Sequence, residues 1–166
     1  YENSTPIAHE PVIDGTVEHR VSEFFGALSR AAGARAVYTA DAGLHQALTR
    51  KYAHVLRPRG LLCPSDFQSM GFGLPGAIGA VLAHPDACVF ACIGDGGLAL
   101  SAGELFTAVR EGLDLVVVVF DDAALGLIRR QQLEDFGYGS GVTLHRPNYR
   151  ALAEAVGCSY FPVTGD

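Results

Sequence analysis

The sequence predicts an α/β domain of three layers, α/β/α, built on a doubly wound and mainly parallel sheet of about five to six strands. Two apolar runs carry that prediction. Ala87–Ile93 and Leu115–Phe120 are almost wholly apolar, as parallel strands covered on both faces should be. Each stops at a polar cluster, Gly94-Asp95-Gly96-Gly97 after the first and Asp121-Asp122 after the second. A helical stretch between them completes a strand–helix–strand unit, which brings the chain back parallel to itself in one sheet. Neighbouring strands lie about 4.8 Å apart, so Asp95 and Asp122 are expected side by side at the carboxyl edge, where open α/β sheets bind ligands. Two carboxylates there can share one hard divalent cation, with phosphate oxygens as further ligands.

The remaining elements follow in order. Residues 1–15 carry Pro6, Pro11 and Gly15 without periodicity and are expected to be a linker from a preceding domain, with the domain itself spanning 16–166. Val17–Ala32 places Val21, Phe24, Phe25 and Leu28 on one helical face. Ala36–Ala40 is a short strand running into Asp41-Ala42-Gly43-Leu44-His45-Gln46, followed by a short helix to Tyr52 and a strand near Leu61–Cys63. Ser69-Met70-Gly71-Phe72-Gly73-Leu74-Pro75-Gly76 opens a small-residue helix to Ala83. After Gly97, Ser101 and Glu104 have the spacing of a capping box and Gly112 that of a helix stop. A helix over Leu125–Leu133, a Gly-rich loop at 137–141, an Asn148-capped helix to Val156 and a strand from Tyr160 to Val163 complete the expectation. Because the sequence stops just past that strand, the domain is expected to be truncated at its C-terminal end.

Composition narrows the function classes. The 166 residues are 49% hydrophobic with 20 Gly, which marks an ordered, turn-rich domain with a real core. A net charge of -6 offers no footprint for nucleic acid or an anionic membrane. No run approaches the roughly 20 apolar residues of a membrane span, and no signal-peptide pattern is present. Cys63, Cys88, Cys92 and Cys158 lack CxxC spacing and are expected to be buried free thiols, which fits a cytoplasmic setting.

Four motifs stand in order: Asp41-Ala42-Gly43-Leu44-His45, Met70-Gly71-Phe72-Gly73-Leu74-Pro75, Gly94-Asp95-Gly96, and an acidic pair whose second member lies 27 residues beyond Asp95. Over about Val37 to Val163 this order resembles the diphosphate-binding domain of thiamin diphosphate enzymes, in the acetolactate synthase and 2-oxoacid decarboxylase branch. The resemblance implies that fold and the cofactors thiamin diphosphate and Mg2+ or Ca2+. Asp95 then matches the metal ligand of the Gly-Asp-Gly motif, Asp122 the second ligand, and the backbone carbonyl of Ala124 the third. The family usually has an Asn pair where Asp121-Asp122 stand, so three carboxylates crowd a site that must also hold an anion.

By the same resemblance, Gly43, His45, Gly94, Gly96 and Gly97 are the cofactor-binding positions. Glycine lacks a Cβ that would keep phosphates from the backbone, and a helix N-terminus favours anions. Met70 matches the apolar wedge that bends the cofactor into a V, and the carbonyl of Gln68 would accept from its 4′-amino group, at a position where the family prefers Gly. The family's proton-relaying Glu belongs to a pyrimidine-binding domain, usually of a facing subunit, which implies a homodimer or homotetramer and an isolated chain that is inactive. The implied activity is a lyase or transferase reaction, decarboxylation or carboligation of a small 2-oxoacid. A flavin (FAD) would sit only in a domain absent from this sequence. The biosynthetic acetolactate synthases carry an Arg-Gln-Trp-Gln run, where this sequence has Arg129-Arg130-Gln131-Gln132 and no Trp at all.

Taken singly, each residue has a structural explanation. Met70 alone would be core packing, His45 a surface or capping residue, and the Asp pair a helix cap. A β-type subunit of a two-chain 2-oxoacid decarboxylase is the alternative within the family. A non-catalytic flavodoxin-like module would also place acids at strand ends, but leaves Met70-Gly71-Phe72-Gly73 unexplained. A dinucleotide-binding fold would need a GxGxxG turn after the first strand, which Asp41-Ala42-Gly43 does not supply.

Overall fold

A computed structural model describes residues 15–163. The expected linker lies outside them except for Gly15, which opens helix α1 (Gly15–Ala32). A 3₁₀ turn leads into β1 (Ala36–Ala40), then α2 (Leu44–Tyr52), β2 (Leu61–Leu62) and α3 (Gly73–Ala83). The second half holds β3 (Cys88–Gly94), α4 (Asp95–Ser101), α5 (Glu104–Arg110), β4 (Leu115–Phe120), α6 (Gly126–Phe136) and α7 (Tyr149–Val156). The strands form one parallel sheet in the order β2-β1-β3-β4.

Alternation along the strands builds two cores. Ala36 and Tyr38 of β1, Phe90 and Cys92 of β3, and Val118 and Phe120 of β4 face α1, whose Phe25 is fully buried among them. Val37, Val89, Ala91 and Val117 face α3, where Ala77, Ala80 and Val81 let the helix pack closely on the sheet. Toward the carboxyl edge that second face continues as Leu74, Ile93, Leu98, Leu105 and Val156, drawn from α3, β3, α4, α5 and α7. Helices on both faces make the three layers expected from the apolar runs. Burying a ring such as that of Phe25 contributes about 2–3 kcal/mol.

Several expectations need correction. The sheet has four strands among the described residues, because Tyr160–Val163 is irregular. That segment is short and exposed, and its apolar composition did not suffice to pair it. β4 is an edge strand, with Val116 48% exposed; a β-branched run is equally compatible with a centre or an edge. Ser101 caps nothing: its hydroxyl donates to the Gly97 carbonyl one turn back at 2.8 Å. Ala102 and Gly103 stay in the right-handed helical region, whereas a capping residue leaves it. Gly112 does end α5, at φ +61°, with the Leu113 N–H reaching back to the Ala108 carbonyl. Asn148 caps α7 through its side chain, which accepts from the Ala151 N–H at 3.0 Å.

The 69–76 motif enters α3 only at Gly73, and the reason is steric. A Cβ on Gly73 would overlap Ile93 Cγ2 and lie 3.1 Å from the Asp41 Cβ, while the Thr39 hydroxyl donates to the Gly73 carbonyl at 2.7 Å. Gly73→Ala is therefore expected to destabilise the domain by about 2 kcal/mol through overpacking, measured by thermal unfolding.

Candidate cofactor site at the carboxyl edge of the sheet

Register delivers the acidic residues to one edge. Ala40 pairs with Cys92 and Gly94 with Phe120, so β1, β3 and β4 run directly into Asp41, Asp95 and Asp121. Asp95 begins α4 and is 9% exposed. Its Oδ1 accepts from the Gly96 N–H at 2.9 Å and its Oδ2 from the Ala124 N–H at 3.2 Å. The same Ala124 N–H also points at Asp122 Oδ1, 3.3 Å away. One backbone donor thus gathers Asp95 and Asp122. The loop that carries it is held by Leu125 and Leu144 N–H donation to the carbonyls of Val142 and Ala123, both at 2.8 Å.

The charges at this edge are handled unequally. Arg146 Nε lies 2.6 Å from Asp121 Oδ2, and Arg129 lies 3.7 Å from Asp122 Oδ2. Asp95 has no cationic partner among the described ion pairs. Burial pushes its carboxyl above the usual range; the Gly96 N–H opposes that shift, and the charges of Asp122 and Asp121 add to it. Tyr149, at the start of α7, is pushed up to about 12, first by burial and then by Asp121 and Asp95.

The glycines of the site are explained by close approach. The His45 ring stacks on Phe120 at 5.9 Å and fills the space where a Cβ of Gly43 or Gly94 would lie. Over Gly96 converge Met70, Leu125 and Leu144, with the Met70 methyl carbon 3.0 Å from where a Cβ would be. A Cβ on Gly97 would overlap Asp41 Oδ2, and one on Gly126 would overlap Asp122 Oδ2. Gly43, His45 and Gly94 therefore form one group, Asp95, Asp122 and Ala124 a second, and Gly96 with Met70 a third. Gln68 joins none of them through its hydrogen bonds, which run from Nε2 to the nearby carbonyls of Pro64 and Ser65. Its backbone has φ +48°, the left-handed region that glycine adopts without cost.

Comparison with known proteins decides the family. Residues 41–165, well over half of the chain, match the family described as "Thiamine pyrophosphate enzyme, C-terminal TPP binding domain". The chain belongs to the thiamine pyrophosphate enzymes. It is 42% identical over 97 residues to the acetolactate synthase isozyme 1 large subunit of Escherichia coli (strain K12), covering 58% of this chain and 17% of that protein. It is 34% identical over 160 residues to acetolactate synthase of Mycobacterium leprae (strain TN), covering 92% of this chain and 25% of that protein. The isozyme 2 large subunit of Escherichia coli (strain K12) matches at 35% over 123 residues, covering 73% of this chain and 22% of that protein. The chain thus spans about a quarter or less of these relatives. No helix among the described residues is long and apolar enough to cross a membrane.

The residues present fit the family's cofactor. Four buried side-chain polar atoms lack a hydrogen-bond partner among the described residues: His45 Nε2, Gln46 Nε2, Arg129 Nε and Tyr149 OH. Such atoms are rare and call for a partner; His45 and Gln46 follow β1, Arg129 follows β4, and Tyr149 feels the charges of Asp121 and Asp95. No three His, Cys, Asp or Glu side chains are grouped to hold a metal by themselves among the described residues. Two carboxylates and a carbonyl suit a hard cation completed by phosphate oxygens. The four cysteines are free, and burial pushes the Cys92 thiol up to about 12, which leaves it inert.

Two roles go beyond the sequence expectation, that of Asp41 and the pairing of Asp121 with Arg146. Asp41 is fully buried, and its signal in the sequence is an acid directly after a strand buried along its whole length. The Asp121–Arg146 pair spans α6 and the segment after it and has no local signal.

His45 generates a pH prediction. Burial lowers its pKa from 6.5 to about 4, against the opposing pull of Asp41. The unfolded chain therefore binds this proton first, and stability falls as pH drops from about 6.5 to about 4, by ~3 kcal/mol at most. Asp95, whose pKa is raised, acts oppositely by protonating earlier in the folded state. His45→Gln should flatten the acid limb of melting temperature against pH; an unchanged limb would assign it to other groups.

Proposed function

We propose that this chain is the cofactor-binding portion of an acetolactate synthase-like enzyme that decarboxylates or joins small 2-oxoacids. In this reading Asp95, Asp122 and the Ala124 carbonyl hold Mg2+ or Ca2+, which anchors the diphosphate of thiamin diphosphate. The observation that carries it is the convergence of Asp95 and Asp122 on one Ala124 N–H, with Asp95 in no ion pair among the described residues. A divalent cation would reverse the local field that raises the Asp95 pKa. Gly97, in the first turn of α4, brings a backbone N–H beside it, and His45 and Arg129 bring unpaired nitrogens.

When bound, thiamin diphosphate supplies an acidic thiazolium C–H and an electron sink. The chain's own part is to bind, orient and exclude water. Met70, Leu125 and Leu144 form an apolar cover over Gly96, which supports the reading of Met70 as the wedge. The left-handed backbone at Gln68 supplies the conformation that the family's Gly would adopt, which supports its carbonyl as an acceptor. Gly43 and Gly94 make room for His45 and keep that ring against the diphosphate side of the site.

The partner in this reading is a Glu-bearing pyrimidine-binding domain, from a facing subunit of a homodimer or homotetramer. Apolar side chains exposed on the segments around the edge support it: Phe67 at 94%, with Met70, Ile128, Phe136 and Tyr138 also exposed. Apolar side chains left exposed in this way are available to a partner surface.

Calorimetric titration of the intact protein with thiamin diphosphate at fixed Mg2+ tests the site. Asp95→Ala should weaken binding by about 100-fold or more, as loss of a primary ligand and of its charge does. Asp122→Asn should bind as well as the parent or better, since the oxygen facing Ala124 is kept and one charge leaves a crowded edge. Equal damage from both would move the second ligand elsewhere. Met70→Ala should slow deuterium exchange at C2 of the bound cofactor far more than it weakens binding; equal effects on both would return Met70 to simple packing.

A further inference from the structure

Asp41 is the one wholly buried carboxylate at this edge, 0% exposed, and it is not among the metal or cofactor contacts proposed above. Its Oδ1 accepts from the Ala42 N–H at 3.0 Å and from the Phe72 N–H at 3.1 Å. Its Oδ2 accepts from the Gly71 N–H at 2.8 Å. On the far side Gly97 comes so close that a Cβ there would overlap Oδ2, and Gly73 packs on the Asp41 Cβ. One side chain from the end of β1 thus touches the 71–73 loop and the first turn of α4. Met70 immediately precedes the gripped amides, and its methyl group lies against Gly96, next to Gly97.

We propose that Asp41 is a positioning residue for the cofactor, setting the height of Met70 above the Gly96 floor by fixing the Gly71 and Phe72 amides against the first turn of α4. The proposal rests on the reading of Met70 as the wedge. A carboxylate suits the task because both oxygens accept, and charge-assisted hydrogen bonds to backbone N–H groups are the stronger kind. An amide of the same shape offers one acceptor and one donor, so Asp41→Asn keeps the packing and forfeits at least one of the three N–H partners. Gly97→Ala should disturb the same contact from the other side, by pressing on Oδ2.

Two measurements on the intact protein test it. The first is amide hydrogen exchange without cofactor. Asp41→Asn should speed exchange at Gly71 and Phe72 by about tenfold or more while leaving the β1 and β3 amides near their parent rates, as a local opening does. The second is C2 deuterium exchange of bound thiamin diphosphate beside its affinity at fixed Mg2+. Asp41→Asn should slow C2 exchange by about tenfold with affinity within about threefold, and should slow it no further in a Met70→Ala background, because residues acting through one contact are not additive. Should Asp41→Asn fail to fold, Gly97→Ala carries the amide-exchange test, which is read without cofactor. Unchanged protection at Gly71 and Phe72, or effects that multiply with Met70→Ala, would overturn the proposal. A parent protein that binds no thiamin diphosphate would sink the functional reading instead, and the amide exchange would still decide whether Asp41 holds the loop.

Discussion

The parallel register of β1, β3 and β4 is the constraint on which the rest depends. It places the residues following three strands in one row, and all three are aspartates. Side by side at a partly buried edge, like charges repel and cannot all be left alone. The protein treats each differently. Asp41 is buried and saturated by backbone N–H groups, Asp121 is paired with Arg146, and Asp122 shares a donor with Asp95 while facing Arg129. Asp95 enters no ion pair among the described residues and is left with two backbone N–H groups.

That asymmetry separates support from site. Asp41 and Asp121 have their charge spent on loops, the first on 71–73 and the second on the turn at Ala123, whose N–H it accepts at 3.2 Å. Ala123 has φ +53° and Gln68 φ +48°. Two of the three non-glycine residues with positive φ among the described residues therefore flank the edge, where strained backbone commonly gathers around binding sites. The core reaches the same edge from one side through stacked rings. Phe25, Tyr38, Phe90 and Phe120 pack within about 6.3 Å of a neighbour, and His45 extends the stack. Packing that stabilises the sheet thereby also orients a ring at the candidate site.

Departure from the family's Asn pair is accommodated within this chain. Arg146 and Arg129 lie on different elements, yet each meets one of the two extra carboxylates. The Arg146 contact is short and the Arg129 contact long. Asp121 is thus firmly neutralised, while Asp122 retains an oxygen near Asp95. Gly126 matters here, since any larger residue would collide with Asp122 Oδ2.

Periodicity and punctuation determined most of the fold from sequence alone: α1, β1, α2, α3, β3, β4 and α7, with the stop at Gly112 and the cap at Asn148. Those features are local, because apolar spacing and φ preferences act within one element. The strand ends of the candidate site were legible for the same reason, since a parallel unit puts successive strand ends together. What the sequence missed is long-range. Whether β4 is central or an edge depends on a neighbour, not on its own valines. Ser101 and Glu104 had the spacing of a cap, but backbone that never leaves the helical region gives a cap nothing to do. The roles of Asp41, Arg129 and Arg146 arise from atoms 7 to 31 residues apart in the chain. Only folding brings such atoms within hydrogen-bonding distance, and only there does a buried charge reveal which partner it has and which it lacks.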